Sequence, residues 1–229
     1  MHIMEGFLPW QWCLLWWFIA LPCLALGVYQ LKKVLSLDRE ALPLLGVVGG
    51  FVFILSSLKI PSPVTMSCSH PTGTGLPAIA FGPWITAVIG AIVLLFQALF
   101  LAHGGLSTLG ANTVSMGIAG PLVGWGVYRA LRDTRVNLYA TVFLAAAFAD
   151  LFTYVVTSLQ LALAYPVGGF WTAFAVFMGI FAVTQVPLAI LESVILMLVF
   201  RYIVQLRPGI LIRLKVFPGS KITAARGDA

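Results

Sequence analysis

The sequence contains no Asp, Glu, Lys or Arg between Lys59 and Arg129. Soluble domains carry charge at roughly 25% of their positions, whereas this chain is 9% charged and 61% apolar. An uncharged stretch of this length can contain bilayer crossings, each of which needs about 20 apolar residues. The sequence therefore excludes a soluble globular protein and predicts an all-α integral membrane protein.

The charges that remain are concentrated towards the C-terminus. The formal net charge of +6 comes from 13 basic and 7 acidic residues, and the segment from Arg207 to Ala229 has five basic residues against Asp228. Basic residues next to a membrane span favour the cytoplasmic side and attract anionic lipid. We therefore expect residues 1–206 to form a single transmembrane domain and 207–229 a basic cytoplasmic tail, with the bilayer as partner and no nucleic acid.

The apolar runs predict about seven transmembrane helices. Five are single spans: Trp10–Leu31, Ala41–Leu58, Pro77–Leu101, Asn112–Leu131 and Leu138–Ala164. The run from Val167 to Leu206 would be roughly 60 Å long as one helix, about twice the hydrocarbon thickness of a bilayer. We therefore predict two helices there, with a break near Thr184 to Pro187.

Lysines and arginines set the expected orientation. Lys32, Lys33 and Arg39 favour a cytoplasmic first loop, which puts the N-terminus and the loop over 60–76 outside. The N-terminus lacks the basic region of a secretory signal, so we expect it to be retained. Seven crossings return the tail to the cytoplasm. Arg129, Arg132 and Arg135 then fall outside, against the tendency, and His103 falls on the face opposite the outer loop, which excludes it from a site there.

Two separate segments offer nitrogen ligands for a transition metal. The amine of Met1, the amide nitrogen of His2 and the near ring nitrogen of His2 can close one five-membered and one six-membered chelate ring. His70, in a Pro- and Gly-rich outer loop, can supply a fourth nitrogen. Four nitrogen donors in a plane suit Ni²⁺ or Cu²⁺ and can accommodate Co²⁺, whereas structural Zn²⁺ prefers a tetrahedron.

Three motifs in order carry a family resemblance: MHIMEGFLP at 1–9, SCSHPTGTG at 67–75 and HGGLSTLGAN at 103–112. They resemble the CbiM/NikM family of cobalt and nickel substrate-binding membrane subunits of energy-coupling-factor transporters, and the likeness extends to about Arg207. It implies an S-component-like bundle with an extra N-terminal helix, in which Met1, His2 and His70 bind the ion. The Met4-Glu5-Gly6 start resembles the cobalt branch.

Residues around His70 are expected to support the site rather than to bind metal. Ser67, Ser69, Thr72 and Thr74 are candidates for orienting His70 through its other ring nitrogen. A soft Cys68 thiolate would hold the metal tightly and hinder its release, so we expect Cys68 to pack beside the ligands.

Other polar and small residues have open roles. Asp150 and Glu192 are acids within late helices, where a carboxylate is by default a functional candidate. They can tie helices together, face a partner subunit or carry protons. Gly46 and Gly50 have the spacing of a helix contact, either within this chain or with a partner subunit.

The function expected is capture of Co²⁺ from outside and delivery into the cell for cobalamin synthesis, with Ni²⁺ uptake as the alternative. The chain lacks a GxxxxGK[ST] phosphate loop, and the resemblance implies a transmembrane coupling subunit, a cytoplasmic ATPase dimer and a small accessory membrane subunit. We expect a bacterial cytoplasmic (inner) membrane location and no cofactor apart from the transported ion. An intramembrane metalloenzyme is disfavoured because HExxH and an open water position are missing. A stand-alone proton-coupled carrier would depend on Asp150 and Glu192.

Overall fold

The computed structural model describes residues 2–61 and 67–227, apart from the side chains at 60, 61 and 67. Helices dominate the described residues, and three short strands lie near the N-terminus and the first long loop. The helices are α1 (Trp10–Leu37), α2 (Ala41–Ser57), α3 (Gly75–Phe81), α4 (Pro83–Phe100), α5 (Leu109–Asn112), α6 (Gly120–Leu131), α7 (Leu138–Ala164), α8 (Phe170–Leu206), α9 (Pro208–Arg213) and α10 (Gly219–Gly227). A π-helical segment, Thr113–Ala119, joins α5 to α6.

The expectation of an all-α membrane protein is confirmed. In the described part of the chain, α1, α4, α7 and α8 are long and apolar enough to cross a bilayer, and α2 is a shorter apolar helix of 17 residues. The bounds of α7 coincide with the predicted span. Large apolar side chains such as Phe18 and Phe100 lie exposed on these helices, as expected of lipid-facing surfaces.

The third predicted span, Pro77–Leu101, is not a single helix. Helix α3 ends at Phe81, and Gly82 follows with a φ of +85°, a conformation that favours glycine. Pro83 then begins α4 and has no N–H with which to continue the preceding helix. Gly82 lies beside a cavity lined by Arg129 and Lys215, whereas Cys68 lies by the N-terminus, so residues 68–82 lead from one end of the bundle to the other.

The predicted break near Thr184 to Pro187 is wrong. Helix α8 is continuous over 37 residues, about 56 Å at 1.5 Å per residue, and contains Pro187 in its interior. Thr184 and Gln185 hydrogen-bond residues of the first long loop, so they belong to the packed interior rather than to a turn. A proline is tolerated in a membrane helix when neighbouring groups satisfy the backbone. With one helix where two were predicted, the seven-helix count is not confirmed in the form expected.

Two sets of contacts define one end of the bundle. Arg213 pairs with Asp38 and Glu40 in the α1–α2 connection. Lys221 donates to the carbonyl oxygens of Leu131 and Arg132 at 3.1 Å. The α1–α2 connection, the α6–α7 connection and the C-terminal segment therefore share one end, called here the basic end.

The expected position of the three arginines at and after the end of α6 is consequently wrong. Arg129, Arg132 and Arg135 lie at the basic end, together with the loop of Arg39 rather than opposite to it. The reason is the extra reversal at Gly82, which sends α4 back towards the N-terminus and brings α6 down to the basic end. The conflict with the positive-inside tendency disappears with this change.

The C-terminal segment packs against the bundle. Tyr128 donates its hydroxyl proton to the Val216 carbonyl, and the ring of Phe217 contacts Phe200 and Tyr128 edge-on. Ile222 in α10 is also buried. The boundary of the tail near 206 remains a prediction, although α8 ends at Leu206.

The opposite end is tied together by the N-terminal residues, and we call it the N-terminal end. Strand β1 (His2–Ile3) pairs antiparallel with β3 (Ser67–Ser69), and β3 pairs antiparallel with β2 (Ile60–Pro61). The register places His2 opposite Cys68. Tyr165, after α7, donates to the Phe7 carbonyl.

Glycines allow two close helix crossings. A Cβ built on Gly124 would lie 2.7 Å from Ala149 Cβ and 2.8 Å from the Ala145 carbonyl oxygen. A Cβ on Gly90 in α4 would lie 3.0 Å from Gly117 Cα in the π-helical segment. Gly124 therefore lies at a close crossing of α6 with α7, whereas Gly126 has nothing within 4 Å of its Cβ direction.

Candidate metal centre

Four buried side chains meet at the N-terminal end and form what we call the His/Cys cluster: His2, Cys68, His70 and His103. Each offers one ligand atom, and these atoms all lie within 4.8 Å of one another. His2 and His70 are fully buried, and His103 is 2% exposed. The fold brings His2 and His70 together with Cys68 beside them, as expected from the sequence, and it also brings in His103.

The expected position of His103, on the face opposite the outer loop, is wrong. Its Nε2 lies 2.9 Å from His2 Nδ1 and 2.9 Å from Cys68 Sγ. The error follows from the third span, because the reversal at Gly82 returns α4 to the N-terminal end and carries His103 with it. The sequence signal that could have found it is the glycine pair after His103. Gly104 has a φ of +78°, and a Cβ there would lie 3.6 Å from the His2 ring and 3.2 Å from Asn112 Nδ2.

The three imidazole rings are arranged tightly. His2 and His70 stack with ring centroids 4.3 Å apart and an interplanar angle of 23°. His103 meets them edge-on, at 4.3 Å from His2 and 5.0 Å from His70. This packing lets ring nitrogens from three separate segments approach a common point.

His70 has a defined tautomer. Its Nδ1 lies 2.8 Å from the Pro71 carbonyl oxygen, which can only accept, so Nδ1 carries the proton. Nε2 is then a bare acceptor, and it has no hydrogen-bond partner among residues 2–61 and 67–227. Three of the hydroxyl groups suggested by the sequence bond other residues: Ser69 pairs with Thr184, Thr72 with Glu192 and Thr74 with Thr72. The Ser67 side chain lies outside the described part of the chain, as does Met1.

Burial keeps the cluster neutral. Desolvation lowers the pKa of His2 and His70 well below the ordinary value, and it lowers the pKa of His103 to about 3. Burial also raises the pKa of the Cys68 thiol. Neutral imidazole is the form that binds metal, so no ring proton has to be displaced at neutral pH.

The third motif holds the N-terminal strand in place. The side-chain amide of Asn112 accepts from the Ile3 backbone N–H at 2.8 Å and donates to the Ile3 carbonyl at 3.0 Å. Thr108 Oγ1 donates to the same carbonyl at 2.8 Å. Glu5 accepts from the Ser107 backbone N–H at 3.1 Å, and hydrogen bonding to Ser107 lowers the pKa of Glu5. These contacts hold the N-terminal strand so that His2 stays within the His/Cys cluster.

The two helix-borne acids contact the loop that carries His70. Glu192 accepts hydrogen bonds from the backbone of Thr72 and Gly73, and Asp150 accepts from Gln185, which also donates to the His70 carbonyl. Both acids are buried and engaged within this chain. Of the roles left open by the sequence, these contacts support a role in joining α7, α8 and the loop of His70.

Gly46 and Gly50 have nothing within 4 Å of their Cβ directions, so they make no close contact inside the described chain. They line an open apolar groove of about 530 Å³ between α1, α2 and α4. A contact with a partner subunit there remains a prediction.

The cluster can hold a borderline transition-metal ion. It offers imidazole nitrogens and one sulfur and includes no carboxylate, whereas Ca²⁺ and Mg²⁺ require oxygen ligands.

Comparisons with known proteins agree with this chemistry. A family model described as the cobalt uptake substrate-specific transmembrane region matches residues 2–210. A Methanosphaerula palustris protein bearing the name cobalt transport protein CbiM 2 is 63% identical over 100% of this chain and 99% of its own length. The cobalt transport protein CbiM of Chlorobium limicola is 53% identical over 99% of this chain and 87% of its own length.

A solved structure shares the fold. A truncated transition metal transporter superposes with a TM-score of 0.77 at 27% identity, covering 89% of this chain and 98% of the other. The family model spans most of the chain, and relatives of matching length share more than half of its residues. The chain therefore belongs to the CbiM family of cobalt transport proteins.

Proposed function

We propose that this chain is the substrate-binding membrane subunit of an energy-coupling-factor transporter and captures Co²⁺ from outside the cell. The observation that carries the proposal is the convergence of three buried imidazole rings, in which His70 stacks on His2 and His70 Nε2 has no hydrogen-bond partner in the described part of the chain. The ligands are the Met1 amine, the amide and ring nitrogens of His2, and the His70 ring. His103, hydrogen-bonded to His2 Nδ1, holds that ring until the metal arrives.

Orientation follows from the charges. The basic end contains the connections of Arg39 and Arg132 and the C-terminal segment, and positive residues favour the cytoplasm. The His/Cys cluster then faces the outside of the cytoplasmic membrane, and the basic end is available to a coupling subunit, an ATPase dimer and an accessory membrane subunit. Transport of the ion inward would supply cobalt for cobalamin synthesis.

Nickel uptake is the second candidate, because the same nitrogen ligands suit Ni²⁺ and the affinity order favours it over Co²⁺. A stand-alone proton-coupled carrier is less well supported. Both of its candidate acids are already hydrogen-bonded. Glu192 accepts from the loop of His70, and Asp150 accepts from Gln185, which donates to that loop.

The test uses purified full-length protein, with intact mass confirming Met1 as the first residue. Isothermal titration with Co²⁺ and Ni²⁺ compares the wild type, a variant with one residue added before Met1, and His70→Ala. Both changes should weaken binding by more than about 100-fold. The added residue displaces the terminal amine and shifts His2 from the second position, and His70→Ala removes the fourth nitrogen. One residue added after Ala229 is the matched control and should bind normally. Wild-type affinity in both altered proteins would refute the proposal.

A further inference from the structure

Helix α8 hydrogen-bonds several residues of the loop that carries His70. From α8, Thr184 Oγ1 lies 2.7 Å from Ser69 Oγ, and Gln185 Nε2 donates to the His70 carbonyl at 3.2 Å. Two turns further along, Glu192 reaches the loop at Thr72 and Gly73. The loop therefore depends on α8 on both sides of His70.

Glu192 makes the densest of these contacts. Its carboxylate accepts from the backbone N–H groups of Thr72 at 2.5 Å and Gly73 at 2.9 Å, and from Thr72 Oγ1 at 3.1 Å. Gly73 has a φ of +70°, and two successive N–H groups in such a turn form a concave site for an anion. A Cβ on Gly73 would lie 3.1 Å from Val52 Cα, so the turn is held between α8 and α2.

Asp150 supports the same arrangement from α7. Its two carboxylate oxygens accept from Gln185 Nε2 at 2.8 and 2.7 Å, which orients the amide that donates to His70. Two carboxylates buried among apolar helices are expensive unless they are well bonded. Here their hydrogen bonds join them to the backbone of the loop and to Gln185, which donates to the His70 carbonyl.

We propose that Glu192 is a positioning residue for metal capture: by fixing the backbone at Thr72 and Gly73, it holds the His70 ring stacked on the His2 ring within the His/Cys cluster. The inference rests on the proposed function of the His/Cys cluster. The Pro71 carbonyl that orients the His70 ring lies next to Thr72 in the chain, so displacement of the turn moves the acceptor of the ring proton. Glu192 acts through the loop and does not touch the ion.

The test is Glu192→Gln in the full-length protein. The N–H groups of Thr72 and Gly73 bond different oxygens of the carboxylate. The amide of Gln has only one oxygen, so its NH2 group would face one of these donors. Co²⁺ affinity should therefore fall about 10–100-fold, the range seen when supporting partners of metal ligands are lost. The d–d absorption spectrum of bound Co²⁺ should also change, because His70 is displaced. Asp150→Asn should alter the spectrum in the same direction with a smaller loss of affinity.

Ser193→Ala is the matched control, since Ser193 is buried next to Glu192 in the chain and, among residues 2–61 and 67–227, its hydroxyl bonds only the Ala189 carbonyl of its own helix. It should keep wild-type affinity and spectrum. Should Glu192→Gln fail to fold, Thr72→Val replaces it. That change removes the hydroxyl contact to Glu192 and also the acceptor of the Thr74 hydroxyl and backbone N–H. The same spectral change is expected, with an affinity weaker by at least about threefold, since loss of the bond to Glu192 alone costs about 0.7 kcal/mol.

A purely structural role would lower thermal stability while the folded protein kept its Kd and its spectrum, and that result would overturn the inference. Equal losses in Ser193→Ala would overturn it as well. The two proposals fail differently. If the protein extended before Met1 and His70→Ala both bind Co²⁺ like the wild type, the proposed function is wrong. If both lose binding and Glu192→Gln binds normally, only the role of Glu192 is wrong.

Discussion

Removal of the Asn112 side chain should show most clearly whether metal binding depends on docking of the N-terminal strand. Its side chain forms two hydrogen bonds with the backbone of Ile3, next to His2, and it is 1% exposed. In Asn112→Ala the Ile3 carbonyl keeps the Thr108 hydroxyl as donor. The Ile3 N–H loses its acceptor in a buried position.

The magnitude follows from that accounting. A buried backbone group left unsatisfied costs about 1–3 kcal/mol. Taking about 2 kcal/mol, and about 1.4 kcal/mol for each factor of ten, the docked strand is weakened by roughly 30-fold. Because only the docked strand presents the His2 nitrogens, the apparent Co²⁺ affinity should fall by up to roughly the same factor.

Hydrogen exchange of the Ile3 amide measures docking directly, since this N–H is the group that Asn112 accepts from. Exchange in the metal-free protein should accelerate by about 30-fold, and titration calorimetry should show the weaker Co²⁺ binding. Thr113→Val is the matched control, because the buried Thr113 hydroxyl has no hydrogen-bond partner in the described part of the chain. Unchanged exchange and affinity in a folded Asn112→Ala protein would refute the reasoning.

Three further predictions concern the cluster and the packing around it. If Cys68 only packs beside the ligands, Co²⁺ bound to the wild type should show no intense sulfur charge-transfer band in the near ultraviolet, and Cys68→Ser should bind within about threefold of the wild type; a strong band lost in the variant would assign the thiolate as a ligand. Burial lowers the pKa of His103 to about 3, below the value of about 6.5 in an unfolded chain, so the unfolded state binds more protons between these values. Thermal stability of the metal-free protein should therefore be steady above about pH 6.5 and fall as the pH drops towards 3, and a flat profile would contradict the buried neutral ring. Gly124→Ala should lower the melting temperature, because the new Cβ would lie 2.7 Å from Ala149 Cβ, whereas Gly126→Ala, with open space around its Cβ, should leave it unchanged; differential scanning fluorimetry in detergent compares the two.

Local sequence accounted for much of the helical framework. The uncharged stretch after Lys59 and the apolar runs predicted a membrane protein, and the ends of α7 fell where the apolar run began and ended. Asn137 caps α7 by accepting from the Tyr139 backbone N–H at 2.7 Å. Such signals are local, so a single sequence contains them.

Errors occurred where the outcome depended on contacts between distant segments. Pro187 reads as a break in the apolar run from Val167 to Leu206, yet α8 continues through it, and the nearby Thr184 and Gln185 are bonded to the loop of His70. Gly82 lies in an apolar run that reads as one span, yet its positive φ reverses the chain. Neither outcome follows from hydropathy, because both depend on which surface the neighbouring residues can bury.

By itself, the sequence determined that the chain spans a membrane and that His2 and His70 are candidate nitrogen ligands, because apolarity and donor chemistry are properties of the residues. Tertiary structure alone decided that His103 and Cys68 join them, since the reversal at Gly82 sets the end of the bundle at which His103 lies. It also decided what the buried acids contact. A carboxylate in an apolar helix must find donors, and for Glu192 those donors are backbone N–H groups 119 and 120 residues away in the chain.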